Sequence, residues 1–381
     1  MATGIDSFAL LAIPFFILAG QLMNSGGIAR RLIDFAKILV GKLPGGLAFV
    51  NIMAAMLFGA ISGSAVAAAS AIGGFMTPIM RKEGYDRGFA AAVNITSATT
   101  GMIIPPSNIL IVYSLASGGI SIAALFLAGY LPGILLGLSL MVPAAIYAKK
   151  NNYKVSVQFT FGDAVKKFLD AIPSLLLIII VIGGIVAGYF TATEASAIAV
   201  LYAFILSVFV YGEIKFKELP GILLNSATTT AVVMLLVGTS MAMSWVMAYE
   251  NIPQNVAAAL VSLSNNKFVI LIIINIVLLI VGTFMDMTPA VLIFTPIFLP
   301  VVTHLGIDPI HFGIIMVMNL SIGLCTPPVG GVLFVGCSVA DLPITKVIKP
   351  LIPMFISMVI TLLVVTYFPV LSMLIPKFFG Y

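Results

Sequence analysis

The chain has 381 residues, 61% hydrophobic and 8% charged, with a formal net charge of +5 and a mean hydropathy of +1.21. Soluble domains carry roughly 25% charged residues, so this composition excludes a soluble globular protein and points to a multi-pass membrane protein. Apolar runs such as 174–189 and 269–281 lack the alternation of a barrel strand, which leaves helices as the spanning elements.

In chain order, a helix is predicted over about 8–23 and an amphipathic arm over about 28–43. Apolar pieces at about 46–61 and 65–80 are joined only by Ser62-Gly63-Ser64. Each falls short of the roughly 20 residues a span needs. They read as a re-entrant hairpin with its tip near mid-membrane. Two short full spans would satisfy the charges equally; the short Gly-Ser turn favours the hairpin. An apolar segment at about 87–118 is interrupted at 101–108. Further helices are predicted near 121–148, 171–190, 194–212 and 227–248, then a second short arm near 253–265. Paired pieces follow at about 267–284 and 289–302, a second interrupted segment near 309–340, and a last helix near 347–376.

Charge fixes the orientation. Sixteen of the 18 basic residues, from Arg30 to Lys349 and including Lys154, fall on one side of this threading; Lys267 and Lys377 fall on the other. The positive-inside rule makes the rich side cytoplasmic, and basic residues confined to loops do not describe a nucleic-acid binder. The first hairpin, flanked by Lys42 and Arg81, opens to the cytoplasm. The second, flanked by Asn265 and Thr303, opens to the opposite side. Cys325 and Cys337 are too few for a disulfide framework. No signal peptide precedes the first span, and no GxxxxGK loop offers a nucleotide motor. His304 and His311 do not form a metal set, and no cofactor other than a coupling ion is expected.

The order contains a repeat. Pro78, Gly84, Asp86, Gly101, Pro105 and Pro106 recur as Pro300, Gly306, Asp308, Gly323, Pro327 and Pro328, each offset by 222 residues. Copy one spans about 8–148 and copy two about 230–371. A linking segment at 149–229 holds two helices, and the opposed hairpins make the copies inverted. Duplicated, Gly/Pro-interrupted hydrophobic segments point to the binding site of a secondary transporter.

Proline removes a donor and clashes with the preceding turn, so 101–108 and 323–330 should leave the helix at membrane depth. Lipid cannot satisfy the freed backbone, which must face protein or a polar cavity. Freed carbonyls and hydroxyls suit a small dehydrated cation, and half-helix N-termini suit an anion. Ser62 and Ser64 stand at the first tip, Asp286 and Thr288 at the second. Asp286 is the one carboxylate placed near mid-membrane, where ionisable groups are costly and usually functional. Each has a plainer role open to it: backbone bonding for the serines, capping of the following half-helix for Asp286. Asn94 and its hydroxyl neighbours precede the first break, Asn319 and Ser321 the second.

The stretches LLAIPFFILAG (10–20), ISGSAVAAASAIGG (61–74), GYDRGFAAAVN (84–94), IIPPSN (103–108), TATEASA (191–197), MDMTPAVLIFTPIFLPV (285–301) and CTPPVGG (325–331) make the chain similar to the large membrane subunit of tripartite ATP-independent periplasmic (TRAP) transporters. The resemblance implies an ion-transporter-type elevator fold: all-α, with inverted repeats, two opposed re-entrant hairpins and two interrupted helices. It implies Na+-driven symport of a small carboxylate across the bacterial inner membrane. A soluble periplasmic binding protein would deliver the substrate, and a small four-helix membrane subunit would be a partner. It places one sodium site at Ser62 with backbone oxygens around Gly101, Ile104 and Pro106. A second would lie at Asp286 and Thr288 with oxygens around Gly323 and Thr326. Substrate would lie near Ser64, Asn94, Ser107, Asn108 and Gly330. Ala192 stands where the family often has Pro. The family's large subunit also carries a further membrane helix ahead of the LLAIP segment, and the repeat leaves helix 194–212 without a partner in copy one. That helix is expected from a longer reading frame or from elsewhere. A passive anion channel is the alternative function. An enzyme finds no support: no second mid-membrane Asp pairs with Asp286, HExxH is missing, and no serine has a nearby histidine.

Overall fold

The computed structural model describes residues 8–153, 160–264 and 266–381. Lys154 and Asn265, used above to orient the loops, lie outside the described residues. Among the described residues the chain is helical without strands, and eight helices are long and apolar enough to cross a membrane.

A 3-10 turn, Phe8–Leu11, leads into α1 (Ala12–Ser25), and the amphipathic arm α2 spans Ile28–Val40. The first hairpin is α3 (Gly46–Ser62) and α4 (Ala65–Lys82), with only Gly63 and Ser64 between them. Its turn works because Gly63 takes the left-handed conformation (φ 60°). α5 (Arg87–Ala98) passes through a 3-10 turn, Thr99–Met102, and unwinds before α6 (Asn108–Ala116). α7 (Ile122–Lys150) closes the first half. α8 (Phe161–Val186) and α9 (Ala192–Phe204) follow, each opened by a capping box, Thr160 with Asp163 and Thr191 with Glu194. Then come α10 (Leu219–Tyr249), the arm α11 (Ile252–Leu263), and the second hairpin, α12 (Lys267–Phe284) with α13 (Met287–His304). α14 (Pro309–Gly323) unwinds before α15 (Gly331–Ala340), and α16 (Ile344–Tyr367) precedes α17 (Val370–Phe378).

Three expected boundaries differ. α10 begins at Leu219, eight residues before the predicted 227, with Pro220 in its first turn. α8 begins ten residues before the predicted 171, because a charged, capped first turn carries the helix beyond the apolar run. The single helix expected at 347–376 is two, broken at Phe368 ahead of Pro369. A proline disfavours the helical conformation in the residue before it.

The 222-residue offset governs the architecture. α4, α5 and α7 begin at Ala65, Arg87 and Ile122; α13, α14 and α16 begin at Met287, Pro309 and Ile344. Asp86 and Asp308 each cap the helix that follows, accepting from Phe89 N at 2.7 Å and Ile310 N at 2.8 Å. Packing obeys the same rule across the halves: α4 docks on α15 and α13 on α6, while α5 docks on α16 and α14 on α7. α9 packs along α1, with Thr193 Oγ1 donating to Phe8 O and Ser207 Oγ to Leu22 O.

Candidate functional site

The two hairpins cross the two unwound segments at glycine pairs. A methyl group on Gly101 would come within 2.2 Å of Gly59 Cα, and one on Gly323 within 2.6 Å of Gly282 Cα. Main chain therefore meets main chain at both crossings, and only glycine permits that approach. Below each crossing an asparagine on the hairpin arm reaches the broken helix. Asn51 Nδ2 donates to Ser97 Oγ at 3.0 Å, and Asn319 Nδ2 donates to Asn275 Oδ1 at 2.6 Å.

The tips and the first unwound segment enclose a cavity of about 210 Å³. Ser64, Asn108, Asp286 and Thr288 line it, with Gly63, Met102, Leu324 and side chains of α1 and α10. Its wall includes Ala65, Asn108 and Met287, the first residues of α4, α6 and α13. The amides of α4 are partly engaged: Ser64 Oγ accepts from Ala67 N at 3.2 Å, and Met102 Sδ from Ala65 N at 3.1 Å. Asp286 occupies the cap position of α13 with an exposed side chain that makes no capping bond. Asn108 Oδ1 is buried without a hydrogen-bond partner. No Lys, Arg or His is among the described residues lining the cavity.

The other predicted residues lie around this cavity rather than on its wall. Ser62 ends α3, buried, its Oγ 3.5 Å from Ser64 O. Gly101 belongs to the glycine crossing. Ile104 packs against Gly133 of α7. Pro106 faces Phe16 and Ile61 in a separate small apolar space. Ser107 Oγ donates to Met102 O at 2.5 Å, bracing the unwound segment. Asn94 Nδ2 donates to Ala69 O at 2.8 Å and so ties α5 to α4, while its buried Oδ1 has no partner. In the second half Gly323 forms the other crossing, Thr326 Oγ1 donates to Ile322 O at 3.0 Å, and Gly330 N donates to Thr283 O at 3.1 Å. That last bond ties the second break directly to its hairpin.

Met102 and Thr229 of α10 were not anticipated on the wall. Nothing in the sequence separates Met102 from packing methionines. The run Thr228-Thr229-Thr230 within an otherwise apolar helix is a polar signal that marks one of its members as inward-facing.

Two solved transporters share this fold. The Alcanivorax borkumensis YdaH transporter superposes with a TM-score of 0.70 at 12% identity, covering 96% of this chain and 86% of its own. Neisseria gonorrhoeae MtrF superposes with a TM-score of 0.66 at 11% identity, covering 96% and 82%. Relatives at higher identity align almost end to end. The Pseudomonas aeruginosa C4-dicarboxylate TRAP transporter large permease DctM is 41% identical over 98% of this chain and 88% of its own length. The Vibrio cholerae sialic acid TRAP transporter large permease SiaM is 41% identical over 100% and 89%. A Salmonella typhimurium protein called YgiK, itself uncharacterised, is 59% identical over 100% and 87%. The family described as the tripartite ATP-independent periplasmic transporter, DctM component, matches residues 1–371. With that match and those relatives, the chain belongs to the DctM family, the large permeases of TRAP transporters.

Proposed function

We propose that the chain is the permease of a sodium-coupled importer that moves a small carboxylate by alternating access of elevator type. One observation carries the reading: the starts of α4, α6 and α13 converge on a single cavity at the hairpin tips. Helix N-termini carry partial positive charge and free amides, and so attract a carboxylate. The wall also holds Asp286 and no fixed cation among its described residues. Two like charges about 5 Å apart repel by roughly 3 kcal/mol at an effective dielectric of 20. A bound cation beside Asp286 removes that repulsion, which makes substrate binding depend on Na+.

The cation would lie at two places. Ser62 with oxygens around Gly101, Ile104 and Pro106 forms the first; Asp286 and Thr288 with oxygens around Gly323 and Thr326 form the second. The unpartnered oxygen of Asn108, on the cavity wall, is free to accept from a substrate hydroxyl or to ligate the ion. Segments 8–148 and 230–371 act as inverted repeats joined through 149–229. The arms α2 and α11 link the moving hairpins to the rest. C4-dicarboxylates, sialic acids and related sugar or keto acids, such as those named for the relatives, define the substrate class. A soluble periplasmic binding protein presents it, and a small four-helix subunit completes the complex in the bacterial inner membrane. A passive pore is not favoured, since relatives aligned over nearly the whole chain are named as permeases of transporters, and we assign no catalytic chemistry.

The test is uptake of labelled succinate or sialic acid by proteoliposomes holding the chain, its small subunit and the binding protein. Uptake should collapse when choline replaces sodium outside. Ser62→Ala and Asp286→Asn should each raise the sodium concentration for half-maximal uptake several-fold. Undiminished uptake in sodium-free buffer defeats the proposal.

A further inference from the structure

A second cavity of about 210 Å³ lies at the other end of the helices from most of the basic residues. α16 fixes the ends: Lys346 and Lys349 are in its first turns, and Thr366 and Tyr367, on the cavity wall, are in its last. At 1.5 Å per residue these are roughly 30 Å apart. Lys267, Asp308, His311, Thr366, Tyr367 and Lys377 line it together with an apolar remainder that includes Phe268 and Met373. It shares no lining residue with the cavity at the tips.

The two basic residues that depart from the one-sided charge pattern, Lys267 and Lys377, are both on this wall. Neither is in an ion pair among the described residues. Lys377 sits in the last turn of α17, where a cation is favoured by the helix dipole; Lys267 is the first residue of α12, where the dipole opposes it. The dipole therefore favours Lys377 and opposes Lys267, whose ammonium lies 5.6 Å from the centre of the Phe268 ring. Asp308 is engaged by the start of α14, accepting from Ile310 N at 2.8 Å, so the wall keeps an excess of positive charge.

The repeat supplies a control. The matching junction in the first half is filled by stacked rings: Tyr85 on Tyr153 and Phe89 on Tyr147, each pair 4.1 Å between centroids. Offset by 222, Tyr85, Phe89 and Tyr147 become Ile307, His311 and Pro369. The second half lacks these rings at the matching positions and carries Lys267 and Lys377, with only the tilted pair Phe268 and Tyr367, 5.4 Å between centroids, on the wall. His311 is buried and tied at both nitrogens, Nδ1 to Ser372 Oγ at 2.6 Å and Nε2 to Thr366 O at 3.2 Å. It braces α14 against the α16–α17 break, so the cavity has a fixed floor.

We propose that this cavity is a second, external site for a small organic carboxylate, gripped by Lys267 and Lys377 with its carbon chain on Phe268 and Met373. A volume below the roughly 300–1,000 Å³ of drug-sized pockets limits the ligand to a metabolite of a few carbons. In taking the ligand to be a carboxylate, the assignment rests on the function proposed above; its position and charge do not.

Lysine reactivity tests it without transport. The full chain in nanodiscs, free of sodium, is pulsed with an amine-acylating reagent, and each lysine is quantified by mass spectrometry. Succinate should slow acylation of Lys267 and Lys377 at least threefold, while neutral succinamide has no effect and Lys215 and Lys217 react at unchanged rates. Lys377→Met should abolish the protection of Lys267, and Asp286→Asn should preserve it. Equal rates in succinate and succinamide overturn the site. Equal protection by sulfate overturns the carboxylate assignment and leaves a general anion site. Loss of protection in Asp286→Asn reassigns the effect to the central cavity. Because sodium is absent, failure of sodium-driven uptake and failure of this site are separate results.

Discussion

Gly101→Ala tests the backbone crossing on which the tip geometry depends. The added methyl would lie 2.2 Å from Gly59 Cα and 2.5 Å from its carbonyl carbon. Carbon contacts become favourable only at about 3.5–4.0 Å, so the segments must part by more than 1 Å. Both partners are main chain, and no rotamer change can relieve the overlap. Overpacking of this kind costs about 1–3 kcal/mol and sometimes more; with no flexible neighbour, about 3 kcal/mol is expected. Gly74 in α4 is the internal control, because nothing lies within 4 Å of its added methyl. Gly74→Ala should stabilise by ~0.5–1 kcal/mol through helix propensity alone. The same chemical change thus has opposite signs at two sites. Cys325 and Cys337 are buried and free, so a thiol-reactive fluorogenic dye reports unfolding on heating. Gly101→Ala should melt several degrees below wild type and Gly74→Ala at or above it. Coincident curves for Gly101→Ala and wild type would refute the close crossing.

Two further outcomes can be checked with the same dye. Asn319→Leu strands the Asn275 side-chain oxygen that it met at 2.6 Å and should destabilise by about 1–3 kcal/mol; adding Asn275→Leu should recover only part of the loss, since it removes the stranded oxygen but also the bond from Asn275 Nδ2 to Thr366 Oγ1 at 3.3 Å. Tyr85 lies in the turn between α4 and α5, where burial pushes its phenol up to about 12. The folded state therefore resists an ionisation that the unfolded chain undergoes near pH 10. Stability should be intact below pH 10 and decline as pH rises toward 12, and Tyr85→Phe should flatten that decline; an unchanged profile in Tyr85→Phe would remove Tyr85 as its cause.

Much of this arrangement is written in residues with few conformational options. Gly63 and the prolines of the two breaks mark where helices must stop, which is why the tips and unwound segments appear at the expected numbers. Asp86 and Asp308 mark helix starts for the same kind of reason. Hydropathy was a poorer guide. It missed the charged first turn of α8, because Asp163, Lys166 and Lys167 look like loop residues until the Thr160 capping box is recognised. It also ran through Phe368, where an unbroken apolar run hid the stop that Pro369 imposes. Within the site, residues at the tips themselves, Ser64, Asp286 and Thr288, came together on one wall with Asn108. Ser107 and Asn94 turned inward to brace the backbone instead. Helical and unwound segments share the same composition at membrane depth, so residue type alone could not tell a bracing hydroxyl from a cavity-lining one.

The exchange of partners, α4 onto α15 and α13 onto α6, makes the duplicated chain a single cooperative object. Neither half carries a complete set of neighbours for its own hairpin. A fragment ending after α7 would leave the flank of α4 that meets α15 bare, and a fragment starting at α10 would do the same to α13. A substitution that loosens α15 should therefore be felt at the first hairpin, and one that loosens α6 at the second.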